Sequence, residues 1–154
     1  MGDEKESIPG RLLAIDYGSE RIGLAISDPL QVLAGGAGMI RNSESAPGEI
    51  AAMVADKTVV KIIVGMPYLH DGAKGDKAKE VDAFIDRLKL VVNVPLETWD
   101  ESFTSVRAKQ AYLDGGMRKK QRRDKGRVDE MAARLLLQDY LDSIRNSPHA
   151  SPAH

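Results

Sequence analysis

The sequence predicts an α/β domain on a mixed five-stranded sheet, three antiparallel strands then two parallel ones, flanked by helices. Three observations carry this. Two strand-like runs near the start, 11 to 16 and 22 to 26, are separated only by a short glycine turn, which suits an antiparallel hairpin. A third strand pattern follows directly, at 31 to 41. Beyond it, β-branched runs alternate with helical patterns, as βα units do.

Taken in order, the first strand reads "RLLAID" and ends on Asp16, a carboxylate where an apolar run should continue. Gly18, Ser19 and Glu20 form the turn, followed by the charged Arg21. Ile22, Leu24 and Ile26 then alternate with Gly23, Ala25 and Ser27, a strand pattern. Asp28-Pro29 breaks the run, and glycines 35, 36 and 38 loosen the third strand. Residues 43 to 56 predict a helix with Ile50, Met53 and Val54 on one face. "VVKIIVG" at 59 to 65 is a buried strand. After the loop "MPYLHDGAKG", 77 to 90 predicts a helix whose apolar face carries Val81, Phe84, Ile85 and Leu88. "VPLETW" at 94 to 99 is the fifth strand. A helix over 103 to 114, a basic loop and a last helix over 128 to 144 complete the chain. The order β-β-β-α-β-α-β-α-α matches a ribonuclease H-like layout.

A chain of 154 residues suits one compact domain. Residues 1 to 10 read as a flexible leader, 11 to 144 as the domain and 145 to 154 as a flexible tail. The net charge of −1 argues against a globally basic surface, so any polyanion site is local. The absence of cysteine excludes disulfides, thiolate metal sites and a cysteine nucleophile, and fits a cytoplasmic protein. No apolar run approaches the length of a membrane span, and the polar, acidic start does not read as a secretory signal.

The acidic residues fall at element ends. Asp16 ends the first strand, Glu101 follows the fifth, and Asp129 opens the last helix. Ligands of open α/β sheets gather at the carboxyl ends of the strands. Singly, each carboxylate has an ordinary explanation: an Asx turn, a solvated side chain, a first-turn acid. Together they predict a catalytic and metal site, with Ala132 and Ala133 letting the last helix approach the sheet. Oxygen-only ligands favour a hard cation, Mg²⁺ or Mn²⁺. Two such ions about 3.5–4 Å apart are the usual device for in-line attack on a phosphodiester. Asp16 is the candidate bridge between them.

"RKKQRRDKGR", 118 to 127, carries Arg118, Lys119, Lys120, Arg122, Arg123, Lys125 and Arg127 against one Asp124, a net +6. Such a segment suits a phosphate backbone. It contains no aromatic residue for base stacking, so little sequence reading is expected.

"AIDYGSERIGLAISD", "IIVGMPYLHDG", "TWDESFTSVRA" and "KGRVDEMAARLLLQDYL" together resemble the YqgF family of ribonuclease H-like proteins, over residues 11 to 143. The family is named both for Holliday junction resolution and for pre-16S rRNA processing. The resemblance implies a cytoplasmic, metal-dependent nuclease acting on the 5′ end of pre-16S rRNA, with the small ribosomal subunit as a partner. By motif position it implies that Asp16, Glu101 and Asp129 are the family's acidic residues. Where the family usually has arginine after "DE", this chain has Ser102, which removes a cation beside the site. His70, in the glycine-flanked loop, reads as solvent-facing.

Three other functions compete. A Holliday junction resolvase would cut paired strands and favour a homodimer, whereas rRNA trimming needs only a monomer. A non-catalytic RNA- or ribosome-binding module would keep the basic segment and not need the carboxylates. A phosphotransferase would use the first hairpin for phosphate, but the chain has no room for the second lobe that such enzymes need.

Overall fold

The computed structural model describes residues 10–69, 71–101 and 125–146, with side chains at 128–145 in the last of these segments. Strands β1 (Arg11–Asp16), β2 (Arg21–Ser27) and β3 (Ala34–Arg41) are followed by helix α1 (Ala46–Asp56). Then come β4 (Val59–Met66), α2 (Asp76–Lys89), β5 (Leu96–Asp100) and α3 (Lys125–Asn146). The sheet runs β3-β2-β1-β4-β5. The β1–β2 and β2–β3 pairs are antiparallel, and β4 and β5 extend β1 in parallel. This is the predicted ribonuclease H-like arrangement.

Element ends shift where local chemistry competes. The third strand begins at Ala34 rather than 31 because Asp28 winds the chain after the break. Its Oδ1 accepts the amides of Val32 at 2.8 Å and Leu33 at 2.9 Å, while Gln31 takes a left-handed φ of 61°. These amides hold the Asp28 carboxyl below its usual range. Helix α1 starts at Ala46 rather than 43, with Ser45 at the N-cap and Pro47 in the first turn, where a missing N–H costs little. Helix α3 starts at Lys125 rather than 128, so the end of the basic segment is helical. It also continues through Arg145 and Asn146, residues expected in the tail. Gly10, expected in the leader, donates its amide to Pro29 O at 3.3 Å. Leader residues 1–9, tail residues 147–154 and the expected helix at 103–114 lie outside the described residues.

The period of two along β1 divides the core between the sheet's faces. Leu13 and Ile15 join Ile22, Leu24, Ile62 and Val64 on one face, beneath Ile50 of α1 and Val81, Phe84 and Leu88 of α2. Leu12 and Ala14 join Ala25 and Ile63 on the other, beneath α3, through Ala133, Leu136, Leu137, Tyr140 and Leu141. Those α3 positions recur at helical spacing, which makes one buried stripe.

A polar clamp fixes α3 near the start of β4. Lys61 Nζ donates to the Tyr140 hydroxyl at 2.8 Å, and that hydroxyl donates to Glu97 Oε1 at 2.8 Å. The Tyr140 ring also meets Trp99 edge to face, with centroids 5.2 Å apart. Among the described residues no helix is long and apolar enough to cross a membrane.

Candidate active site

Asp16 closes β1 at the carboxyl edge of the parallel strands, on the face covered by α3. Its Cα partner across the β1–β2 ladder is Gly23. A Cβ on Gly23 would stand 2.1 Å from the backbone carbonyl of Asp129. Only glycine lets the start of α3 settle on β2 there, and this brings Asp129 alongside Asp16. On the other flank β1 and β4 run in parallel with Ile15 opposite Val64, so Gly65 comes next to Asp16. A Cβ on Gly65 would stand 2.5 Å from Glu101 Oε1 and 2.5 Å from Leu136 Cδ1. The Glu101 amide donates to Met66 O at 3.2 Å, which carries the pairing one residue past β5. Two strand glycines thus flank Asp16, and each seats one of the other two carboxylates.

Asp16 and Glu101 hydrogen-bond through their side chains, which requires a proton between them. Burial, then the Glu101 charge and the bond to it, then the Asp129 charge, push Asp16 up to about 8. Burial also raises Glu101, with the Asp100 charge adding to it. The Lys77 ammonium, from the first turn of α2, opposes both shifts. Asp129 is neutralised differently: its Oδ2 accepts the Nε–H of Arg21 at 2.9 Å. All three predicted carboxylates therefore converge, two hydrogen-bonded to each other and the third paired with an arginine.

Among the described residues no three carboxylate or imidazole groups stand in a ready metal cage. The donor set nevertheless fits a hard divalent cation. Its donors are all oxygen, and burial raises both carboxyls at its centre, a cost that a divalent cation would offset.

The neighbouring Glu130 serves the fold instead. Its Oε2 accepts the Gly38 amide at 2.7 Å and lies over Gly36, tying α3 to β3. Beyond the β1–β2 turn is an open hollow of about 660 Å³ lined by Asn42, Ser43, Glu44 and Arg87. Asn42 Nδ2 donates to Gly18 O at 2.7 Å and fixes the turn against it.

The site residues that sequence reasoning missed are Arg21, Lys77, Gly23 and Gly65. For Arg21 a signal existed: it shares strand parity with Gly23, so both lie on the α3 face. Basic residues Arg118, Lys119, Lys120, Arg122 and Arg123 lie outside the described residues, as do His70 and Ser102. Lys125 and Arg127 fall in the first turn of α3.

Fold and site together define a ribonuclease H-like protein with a carboxylate cluster at the sheet's carboxyl edge. Solved structures share this fold. RuvC from T. thermophilus, in complex with a Holliday junction substrate, matches 90% of this chain and 97% of its own, with a TM-score of 0.55 at 14% identity. The fowlpox virus Holliday junction resolvase matches 86% of this chain and 99% of its own, with a TM-score of 0.52 at 10% identity. The family model described as RuvX, Holliday junction resolvase, matches residues 10–143, and the chain belongs to that family. Relatives described as "Putative pre-16S rRNA nuclease" include one from Phocaeicola vulgatus, 40% identical over 86% of this chain and 96% of that relative. Another, from Roseiflexus sp., is 38% identical over 90% of this chain and 99% of that relative.

Proposed function

We propose that this chain is a metal-dependent nuclease that hydrolyses phosphodiester bonds in the 5′-end processing of pre-16S rRNA. The observation that carries the reading is the buried, hydrogen-bonded Asp16–Glu101 pair with Asp129 seated beside it. Such a cluster is costly for a fold to keep unless it binds a cation. Asp16, at the centre, with Glu101 and Asp129 would hold the proposed two Mg²⁺ or Mn²⁺ ions. The ions would supply charge neutralisation and water activation for in-line hydrolysis that leaves a 5′-phosphate. Asp16 and Glu101 would give up their shared proton on loading, and Lys77 would offset part of their charge. Residues 118 to 127 would hold the phosphate backbone, and the hollow beside Asn42 and Arg87 has room for a flanking nucleotide. The relatives' description favours RNA as the substrate; the proposed partner is the assembling small ribosomal subunit, and the proposed compartment is the cytoplasm.

The family model's own description favours a second substrate, the four-way DNA junction, cut by a homodimer. The test incubates the protein with 5′-extended 16S precursor RNA and, separately, with a four-way junction. Each is run with Mn²⁺, with Mg²⁺ and with chelator, beside Asp16→Asn. Metal-dependent RNA cutting that Asp16→Asn loses supports the main reading. Junction cutting alone moves it to recombination. Tight, salt-sensitive binding with no cutting of either substrate leaves a binding module.

A further inference from the structure

Arg21 has no role in the mechanism above, yet its guanidinium lies inside the site. Residues 21, 23 and 25 of β2 alternate onto the face that α3 covers. Ala25 is buried there, and Gly23 lies under the Asp129 carbonyl. Arg21 begins this row and reaches up to Asp129 Oδ2, 2.9 Å away. Its outer end approaches the exposed Glu20, with Nη1 3.4 Å from Oε1. The Arg21 and Asp129 side chains are only 27% and 25% exposed, so this is not a loose surface pair. A charge-assisted bond in such a setting satisfies both partners. A divalent cation on Asp129 would need the same carboxylate charge, and two cations cannot both claim it at full strength.

We propose that Arg21 is a built-in counterion that keeps the metal's place on Asp129. In the metal-free protein it neutralises Asp129 and holds the carboxylate beside Asp16. When a divalent cation enters, Arg21 yields that oxygen, and the freed guanidinium faces the phosphate of the bound strand. Arg21 is thus a positioning residue that acts through Asp129 before loading. The proposal rests on the nuclease reading, because it needs the carboxylates to bind a metal.

The test titrates Mn²⁺ by calorimetry into wild type, Arg21→Gln and Arg21→Lys, without nucleic acid. With no ion pair to break, Arg21→Gln binds Mn²⁺ several-fold more tightly than wild type, and Arg21→Lys falls between them. In parallel, NMR follows the Arg21 Nε–H resonance of wild type as Mg²⁺ is added. It moves from its bonded position and saturates at the same concentration as metal binding. This second measurement needs no variant, so poor folding of Arg21→Gln does not blunt the test. Equal or weaker metal affinity in a folded Arg21→Gln overturns the proposal and leaves the nuclease reading intact. So does an Nε–H resonance that metal does not move. Wild type that binds no divalent cation brings down both.

Discussion

Asp16 shows at the scale of one residue how a buried carboxylate works against the fold that holds it. Its folded value near 8 lies above the ordinary carboxylate value of 3.8. The stability it contributes is therefore fully present below about 3.8 and is lost as pH rises through about 8. Asp16→Asn removes that loss, because the amide is neutral throughout. Metal-free Asp16→Asn should melt a few degrees above wild type at pH 8, with a smaller gap at pH 5. Thermal scans across this range check it, and a gap that does not grow with pH would contradict a shared proton. The same substitution should reduce cleavage to below about one-thousandth of wild type, as loss of a central group does. Saturating Mg²⁺ should stabilise wild type more than the variant and so narrow the gap. Asp16 was legible in the sequence because a carboxylate at the end of an apolar strand is out of place. Lys77 was not, since a cation in a first helical turn looks like any solvated charge; Arg21 could have been placed on the same face as Gly23 by strand parity, but nothing in the sequence paired it with Asp129.

Between elements, the site depends on how closely α3 lies on the sheet, and two glycines decide that. Gly65→Ala would place a methyl 2.5 Å from Glu101 Oε1 and Leu136 Cδ1, both ends of flexible side chains that can swing aside. It should cost about 1–2 kcal/mol of stability but far more in activity, because the group that moves is Glu101. Gly23→Ala would meet the Asp129 carbonyl at 2.1 Å, and backbone cannot swing aside. It should be the more destabilising of the two, and should weaken Mn²⁺ binding by lifting Asp129 off the sheet. Denaturant melts and metal titrations of both variants check the order. The strands themselves were legible from apolar and β-branched runs and, in β2, from a period of two, and α2 from its apolar stripe. The glycine seats were hidden, because glycine in a strand pattern reads as weakness until the helix above it is known. The 28–33 turn was hidden for a similar reason: its order comes from Asp28 accepting amides four and five residues on, and hydrophobic periodicity carries no trace of that.

Across the whole molecule, α3 joins three regions that need not otherwise move together. It begins in the basic segment, delivers Asp129 to the carboxylates, and is clamped at Tyr140 to Lys61 and Glu97. Arg127 precedes Asp129 by two residues, so on the proposed nuclease reading a strand held by this segment would be tethered beside the carboxylates. The clamp and the basic segment should nevertheless fail in different ways. Tyr140→Phe removes one hydroxyl that bridges Lys61 and Glu97, while those two stay paired. It should cost about 1 kcal/mol and leave metal affinity unchanged, because the clamp lies at the other end of the helix from Asp129. Replacing Arg122 and Arg123 by Gln should leave both stability and metal affinity unchanged and weaken RNA binding. For a single strand each lost phosphate contact lowers the slope of log K against log salt by about 0.7, so the pair should flatten it by about 1.4. Binding isotherms at several salt concentrations measure this directly. A slope that stays constant would mean that the strand is held elsewhere, with the Arg87 hollow the next place to mutate.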